Sequence, residues 1–350
     1  MPLPAASPLR SWQQGGALFF LAAGGPRLQT SYNAVIMLKK IIAKAGIKAA
    51  MSVIADDMRR VDETIHHELG SEIRRVAEVA DYITSAGGKR MRPALVLLCA
   101  GALGCRGDDP VYLGAVIEIL HTATLMHDDV VDEADMRRGK PTTNAKWDNP
   151  TAVLVGDFLY TRAFQMMVKT GNLKAMQEIA AAANRLSEGE VLQMDNAHDP
   201  SVGIERYYEV IERKTACLFE CAALIACSAA HAGPAEEQAL AAYAKHLGYA
   251  FQIADDYLDY AGEAAVTGKN LGADLAEGKV TLPLIHAMQQ AAPADRLAIE
   301  EAVRQGHGDF EQICRIVRST GALEATLAQA RREAEAGKAS IAALPDTPCK

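Results

Sequence analysis

The sequence predicts an all-α fold. Apolar residues recur three and four apart over most of the chain, no alternating strand pattern of any length interrupts them, and the intervening turns are short. With 49% of the 350 residues apolar and alanine abundant, a sizeable helical core is within reach, and the length suits one large domain or two small ones.

Three bulk features narrow the function. A net charge of −8 argues against nonspecific nucleic-acid binding, because no basic face dominates, so any phosphate site must be a local cluster of cations. The seven cysteines are odd in number and form no CxxC pair, which fits a reduced, cytoplasmic protein. Cys217 and Cys221 are helix neighbours, but with no His or Cys nearby they read as small core residues rather than metal ligands.

The first fifty residues stand apart. Ala17 to Ala23 (ALFFLAA) falls short of the roughly 18 apolar residues of a spanning helix and only weakly resembles a signal-peptide core. Residues 33–50 form a mildly basic amphipathic segment with Lys39, Lys40, Lys44 and Lys48, suited to peripheral contact with an anionic membrane. The expected organisation is a loosely ordered extension over 1–50, a single folded domain over 51–343 and a short tail over 344–350.

From Met51, the residues Ile54, Met58, Val61, Ile65 and Leu69 mark a first helix, stopped by Gly70. A second, from about Ser71 to Ser85, runs into Gly87-Gly88-Lys89-Arg90-Met91-Arg92-Pro93. Two glycines allow close backbone approach to a ligand, and three cations lie within four residues. The stretch lacks the GxxxxGK[ST] pattern of a P-loop, which disfavours nucleotide hydrolysis of that class. Pro93 suits the first turn of an apolar helix reaching about Leu103. Asp108, Asp109 and Pro110 then read as an N-terminal cap for a buried helix from Val111 to Asp132, about 33 Å long.

The end of that helix carries the first chemical signal. Asp128 and Asp132 are four apart and share a face, where two ionised carboxylates repel by about 3 kcal/mol at an effective dielectric near 20. Such a pair needs a cation, a proton or open water. Asp129 adds a third carboxylate, and Arg137, Arg138 and Lys140 follow. Carboxylates for a hard metal beside guanidinium groups for phosphate oxygens suit a magnesium-diphosphate; a solvated acidic helix end is the plainer alternative. His121 lies two turns below Asp128 on nearly the same face, while His127 reads as a hydrogen-bonded core residue.

Further helices are expected near 151–169, 173–194 and 203–232. Lys214 and Thr215 interrupt the apolar run of the third, and a buried lysine must be paired, meet an anion, or snorkel to the surface. Then Tyr249 to Tyr260 repeats the DDxxD spacing with Asp255, Asp256 and Asp259, 127 residues after the first copy, trailed by Lys269 and Lys279. Neither copy has the ligand order or central glycine of an EF-hand. Helices continue from Thr281 to about Ala343.

Two acidic helix ends facing across a cavity would bind Mg²⁺ ions carrying a diphosphate leaving group, and the GGKRMRP loop with Arg138 would hold a second anionic substrate without metal. Ionising an allylic diphosphate needs neutralised charge and excluded water, which a deep helical cavity supplies.

In GGKRMRP, HTATLMHDDVVDEADMRRGKPT, LVGDFLYTRAFQMM, KTACLFE, FQIADDYLDY and GKVTLPL the chain resembles the all-trans polyprenyl diphosphate synthases, the octaprenyl type most closely, over about 51–343. The resemblance implies a helical bundle around a deep central cavity, usually a homodimer, joining isopentenyl diphosphate to an allylic primer, farnesyl or geranyl diphosphate, with Mg²⁺. By the same resemblance Asp128, Asp132 and Asp255 are the magnesium ligands, supported by Asp129, Asp256 and Asp259. Lys89, Arg92, His121 and Arg138 match the isopentenyl diphosphate site; Arg137, Lys214 and Lys269 match the allylic diphosphate ligands. Thr215 and Gln252 would face the developing allylic cation, and proton loss goes to the departed diphosphate.

Chain length has a physical handle. Ala123 and Thr124 lie about 6–8 Å below Asp128, where short-chain members of the family place a bulky side chain, so small residues there imply a long product, C40 octaprenyl, for quinone side chains. Deeper residues such as Val116, Ile119, Leu120, Met166 and Met167 are candidates for the floor. Other products of the family, from C15–C20 to C45–C50, and a non-catalytic synthase subunit are the alternatives. A terpene cyclase would lack the basic loop and His121, and both aspartate clusters are intact.

Overall fold

A computed structural model describes residues 49–85, 88–137, 139–261 and 271–350. Residues Val53–Lys350 form one compact unit, distinct from Met1–Ser52. The N-terminal extension apart from 49–52, and with it residues 33–48 of the basic segment, lies outside the described residues, as do Gly87, Arg138 and Lys269.

The unit is all-α, as the periodicity requires. It begins with α1 (Ala55–Glu68), α2 (Arg74–Ser85), α3 (Met91–Ala102) and α4 (Asp108–Val131). A two-stranded antiparallel hairpin follows, β1 (Met136–Arg137) and β2 (Lys140–Pro141), pairing Met136 with Pro141 and Arg137 with Lys140. Then come α5 (Thr143–Lys146), α6 (Asn149–Thr170), α7 (Leu173–Asn196) and α8 (Ile204–Ile211). A π-helical turn, Glu212–Ala216, links α8 to α9 (Cys217–Ala229). The chain ends with α10 (Pro234–Ala261), α11 (Ala273–Ala276), α12 (Leu282–Gln290), α13 (Pro293–Gln305), α14 (Phe310–Ser319) and α15 (Ala322–Ser340).

The helix starts show where side-chain chemistry decides a boundary and where it does not. Asp148 and Asn172 cap α6 and α7 by accepting from Thr151 and Ala175 backbone N–H groups, so these helices begin where a short polar residue permits. The cap expected at Asp108–Pro110 is not one. Gly107 holds the cap position at φ 124°, a conformation that disfavours aspartate, and Asp108 and Asp109 lie inside the first turn. There their charges still favour the positive end of the helix dipole.

Helix α4 is buried along most of its length, with Val116, Ile117, Ile119, Leu120 and Ala123 at 1% exposure or less. It packs on α6, α3 and α1, while α9 packs on α3, α7 and α10. A second apolar cluster joins α10 to α12, α13, α14 and α15 through Ile253, Leu284, Ile285, Val303, Val317 and Leu323. The C termini of α4 and α10, where the aspartates lie, carry no basic residue in their last turns. Carboxylates at the negative end of a helix dipole are disfavoured, so these two ends depend on cations from elsewhere. At the far end of the chain α15 stops at Ser340, three residues earlier than expected, and Cys349 of the tail packs against Gly101 of α3.

Candidate active site

The hairpin after α4 is folded back tightly. The Thr142 hydroxyl donates to the Ala134 carbonyl at 2.6 Å, and the Asn144 amide donates to the carbonyls of Asp129 and Ala134. This fold sets Arg137 of β1 over α4, where its Nε donates to Asp129 Oδ1 at 2.6 Å. Asp129 is 5% exposed, so it serves Arg137 rather than the open face. Asp128 has a different environment. Burial first, and the nearby charge of Glu190 second, push its carboxyl up to about 7, with Lys214 pulling the other way. Asp132 ends the helix and accepts from Lys279 Nζ at 3.3 Å.

At the end of α10 the pattern repeats with different partners. Asp256 is 3% exposed, accepting from the Tyr207 hydroxyl at 2.6 Å and from the Gln252 amide nitrogen at 2.8 Å. Burial raises its carboxyl to about 7 even though both hydrogen bonds oppose this. The Gln252 amide oxygen, held by that orientation, accepts from the Thr215 hydroxyl at 2.8 Å. Asp259 accepts from the backbone N–H groups of Gly272 and Asp274, fastening the return of the chain. In each cluster, then, the second aspartate is buried and orients a neighbour: Arg137 in one, Gln252 in the other.

Two bridges join the acidic ends. In the first, Lys214 lies beside Asp128 and donates to Glu190 at 2.6 Å and to Gln193 at 2.7 Å, while its neighbour Thr215 reaches Gln252 of α10. In the second, Lys279 meets Asp132 of the first cluster and, electrostatically, Asp274, which in turn faces Asp256 and Asp259. Burial pulls the Lys279 pKa down, but Glu277, Asp132 and Asp274 more than offset this and keep it a cation. Sequence distance concealed both bridges: 147 residues separate Lys279 from Asp132, and Lys214 and Glu190 lie 24 apart on different helices. Lys279 stands in the sequence as a trailing cation without a role, and Glu190, Gln193 and Tyr207 stand there as ordinary helix residues. The available signal was a polar pair, i and i+3, on the otherwise apolar face of α7.

Lys214 and Thr215 both sit on the π-helical turn. Two glycines make room for it: a Cβ at Gly189 of α7 would lie 2.8 Å from the Lys214 backbone nitrogen, and one at Gly248 of α10 would lie 2.6 Å from the Ala216 Cα. Wide turns of this kind recur at functional sites because they rotate side chains off the regular helical face. Gly189→Ala is expected to wedge α7 from the turn, lowering stability by about 1–3 kcal/mol. It should also raise the KM for whichever anion Lys214 holds, to be read by thermal denaturation alongside steady-state kinetics.

The basic loop faces the same helices. Lys89 Nζ lies 5.2 Å from the centroid of the Phe251 ring, next to Gln252, and the Arg92 guanidinium lies 4.9 Å from that of Phe219. Those two rings pack together at 5.6 Å. His121 is half-buried on α4; Ala123 and Thr124 beneath Asp128 are buried. His127 bonds the Val153 carbonyl at 3.2 Å and lies 3.4 Å from Asp157, so it is hydrogen-bonded as expected, but with its side chain 33% exposed it is not a core residue.

Among the described residues, no three His, Cys, Asp or Glu side chains converge closely enough to hold a metal ion unaided. The carboxylate oxygens of Asp128, Asp132 and Asp255 nonetheless suit a hard cation that brings ligands of its own, such as phosphate oxygens and water. Asp128, its carboxyl raised by burial and by Glu190, has the environment a cation would relieve.

Residues 73–319 match the family model described as Polyprenyl synthetase. The chain is 48% identical over 298 residues to the octaprenyl diphosphate synthase of Escherichia coli (strain K12), covering 84% of this chain and 92% of that one. Its fold is similar to that of a polyprenyl synthase from Caulobacter crescentus CB15 complexed with calcium and isoprenyl diphosphate (TM-score 0.84, 38% identity, 87% and 93% of the two chains). It is also similar to a decaprenyl diphosphate synthase from Rhodobacter capsulatus (TM-score 0.82, 41% identity, 87% and 94%). With the helical bundle of those synthases and the paired acidic helix ends described above, the chain belongs to the polyprenyl synthetase family of prenyltransferases.

Proposed function

We propose that this prenyltransferase adds successive isopentenyl diphosphate units to an allylic diphosphate primer, farnesyl or geranyl diphosphate, and makes octaprenyl diphosphate for a quinone side chain. The observation that carries the reading is the line Asp128–Lys214–Thr215–Gln252–Asp256, which links one acidic helix end to the other through a cation, a hydroxyl and an amide. Asp128, Asp132 and Asp255 would hold Mg²⁺, which supplies charge neutralisation for the leaving diphosphate. Arg137, Lys214, Lys269 and Lys279 bind the primer's diphosphate oxygens. Lys89, Arg92, His121 and Arg138 hold isopentenyl diphosphate.

The hydrogen-bond directions suit the next step. Asp256 takes the Gln252 N–H, so the amide oxygen faces Thr215, and Thr215 spends its proton on that oxygen. Both oxygens thus present lone pairs, and no proton, to a developing allylic cation. The C–O bond to diphosphate breaks, the isopentenyl double bond attacks the cation, and the proton lost from the adduct passes to the departed diphosphate.

Purified protein with Mg²⁺, farnesyl diphosphate and labelled isopentenyl diphosphate tests the reading, with C40 diphosphate as the expected product. The likeness to the Rhodobacter synthase makes C50 the rival length. A protein that consumes neither substrate would refute the proposal.

A homodimer fits the surface. On α6, Leu154 and Val168 are 66% and 64% exposed and lie on one stripe with Phe158 and Thr161. Leu154→Glu should convert the dimer to a monomer, read by light scattering after gel filtration; an unchanged mass would place the interface elsewhere. All seven cysteines are free and no described helix is long and apolar enough to cross a membrane. We place the reaction in the cytoplasm, with product leaving at a membrane surface.

A further inference from the structure

Glu118 is a carboxylate in the body of α4, 4% exposed, with no part in the steps above. Its Oε1 accepts from Arg90 Nη1 at 3.0 Å, and Arg90 Nε meets Asp62 of α1 at 3.1 Å. Arg90, the residue before α3, stands between Lys89 and Arg92 of the first turn, yet it points elsewhere. Lys89 and Arg92 lie over Phe251 and Phe219, whereas Arg90 turns to α4 and α1. Its backbone is left-handed, at φ 48° and ψ 36°, immediately before α3. A non-glycine residue holds that conformation only where its surroundings over-determine it. Here the surroundings are two carboxylates on two helices.

We propose that the Glu118–Arg90–Asp62 bridge is a positioning device for isopentenyl diphosphate. It pins the middle of the basic loop to α4 and α1, and by fixing Arg90 it sends the side chains on either side toward α9 and α10. Glu118 is three residues before His121, so one helix carries both the anchor of the loop and a ligand of the site it serves. A bridge made only for stability has no need of a strained backbone, and an apolar residue packed on α4 would fill the same place at less cost in desolvation. The inference rests on the reading of Lys89, Arg92 and His121 as the isopentenyl diphosphate site.

The pair Arg90–Glu118 lines a small cavity of about 70 Å³ bounded by α1, α2, α4 and the hairpin, with Asp129 and Arg137 also on its wall. Glu118→Gln and Arg90→Gln, singly and together, are measured against wild type with farnesyl and isopentenyl diphosphates. The expected result is a KM for isopentenyl diphosphate raised about tenfold or more. The KM for farnesyl diphosphate, and the Mg²⁺-dependent hydrolysis of farnesyl diphosphate without the second substrate, should stay within about twofold. The double variant should be no worse than either single one, since each alone already breaks the bridge. Asp62→Asn, at the 55% exposed end, provides a milder variant that avoids altering a buried group and should shift the same KM in the same direction. Wild-type condensation tests the underlying function separately. If wild type condenses and the variants shift both KM values together, or neither, the positioning role is overturned.

Discussion

Replacing Asp128 with Ala lowers turnover by about a thousandfold, and Asp255→Ala does the same, while both proteins keep their helical content. The first expectation follows from the environment of Asp128. Its carboxyl is half-buried, feels the charge of Glu190, and lies at the negative end of α4, so its ionisation calls for a cation. Removing it leaves Lys214 with Glu190 and Gln193, an ion pair that a substrate diphosphate would have to break without metal. The second follows from the repeat at α10, where Asp256 is held by Tyr207 and Gln252, Asp259 takes the backbone N–H groups of Gly272 and Asp274, and Asp255 occupies the position in the DDxxD spacing that Asp128 occupies in the first copy. Steady-state rates with circular dichroism on the same samples check both. Turnover within tenfold of wild type in either variant would remove that aspartate from the metal site.

Ala123→Tyr shortens the product, from a long chain to about C20, with the rate of the first condensation retained. Ala123 is fully exposed to neighbours and not to solvent, at 0% accessibility, so a tyrosine has to take space from whatever lies beneath Asp128. If that space is the path of the growing chain, elongation stops early. If it is packed protein, the ring instead costs about 1–3 kcal/mol of overpacking and the melting temperature falls with product length unchanged. Reverse-phase chromatography of the dephosphorylated products, beside thermal denaturation, separates the two outcomes.

Much of this architecture is legible in the sequence because apolar spacing and short polar caps act locally. The helix bounded by Asp148 and Gly171 is readable from its ends, as are the two DDxxD termini. Three features are not. The cap before α4 turns on the backbone angle of Gly107, which overrides the better intrinsic capping of Asp108. The π-helical turn at Glu212–Ala216 has no side-chain signature of its own, since what permits it is the absence of a Cβ at Gly189 and Gly248 on two other helices. The pairs Lys279–Asp132, Lys214–Glu190 and Arg90–Glu118 join residues from 24 to 147 positions apart, so each charge could be seen in the sequence but its partner could not. The division of labour within each aspartate cluster is likewise a matter of burial. Spacing pairs Asp128 with Asp132 on one face and leaves Asp129 a supporting carboxylate, and only the fold gives Asp129 to Arg137.

The most direct measurement is calorimetric binding of a non-cleavable farnesyl thiolodiphosphate, with and without Mg²⁺, to wild type, Asp128→Ala and Asp255→Ala. Tight binding that needs Mg²⁺ in wild type and is lost in both variants is the predicted result. Equal binding without the ion, or full binding in either variant, would mean that the two helix ends do not share one metal-borne diphosphate.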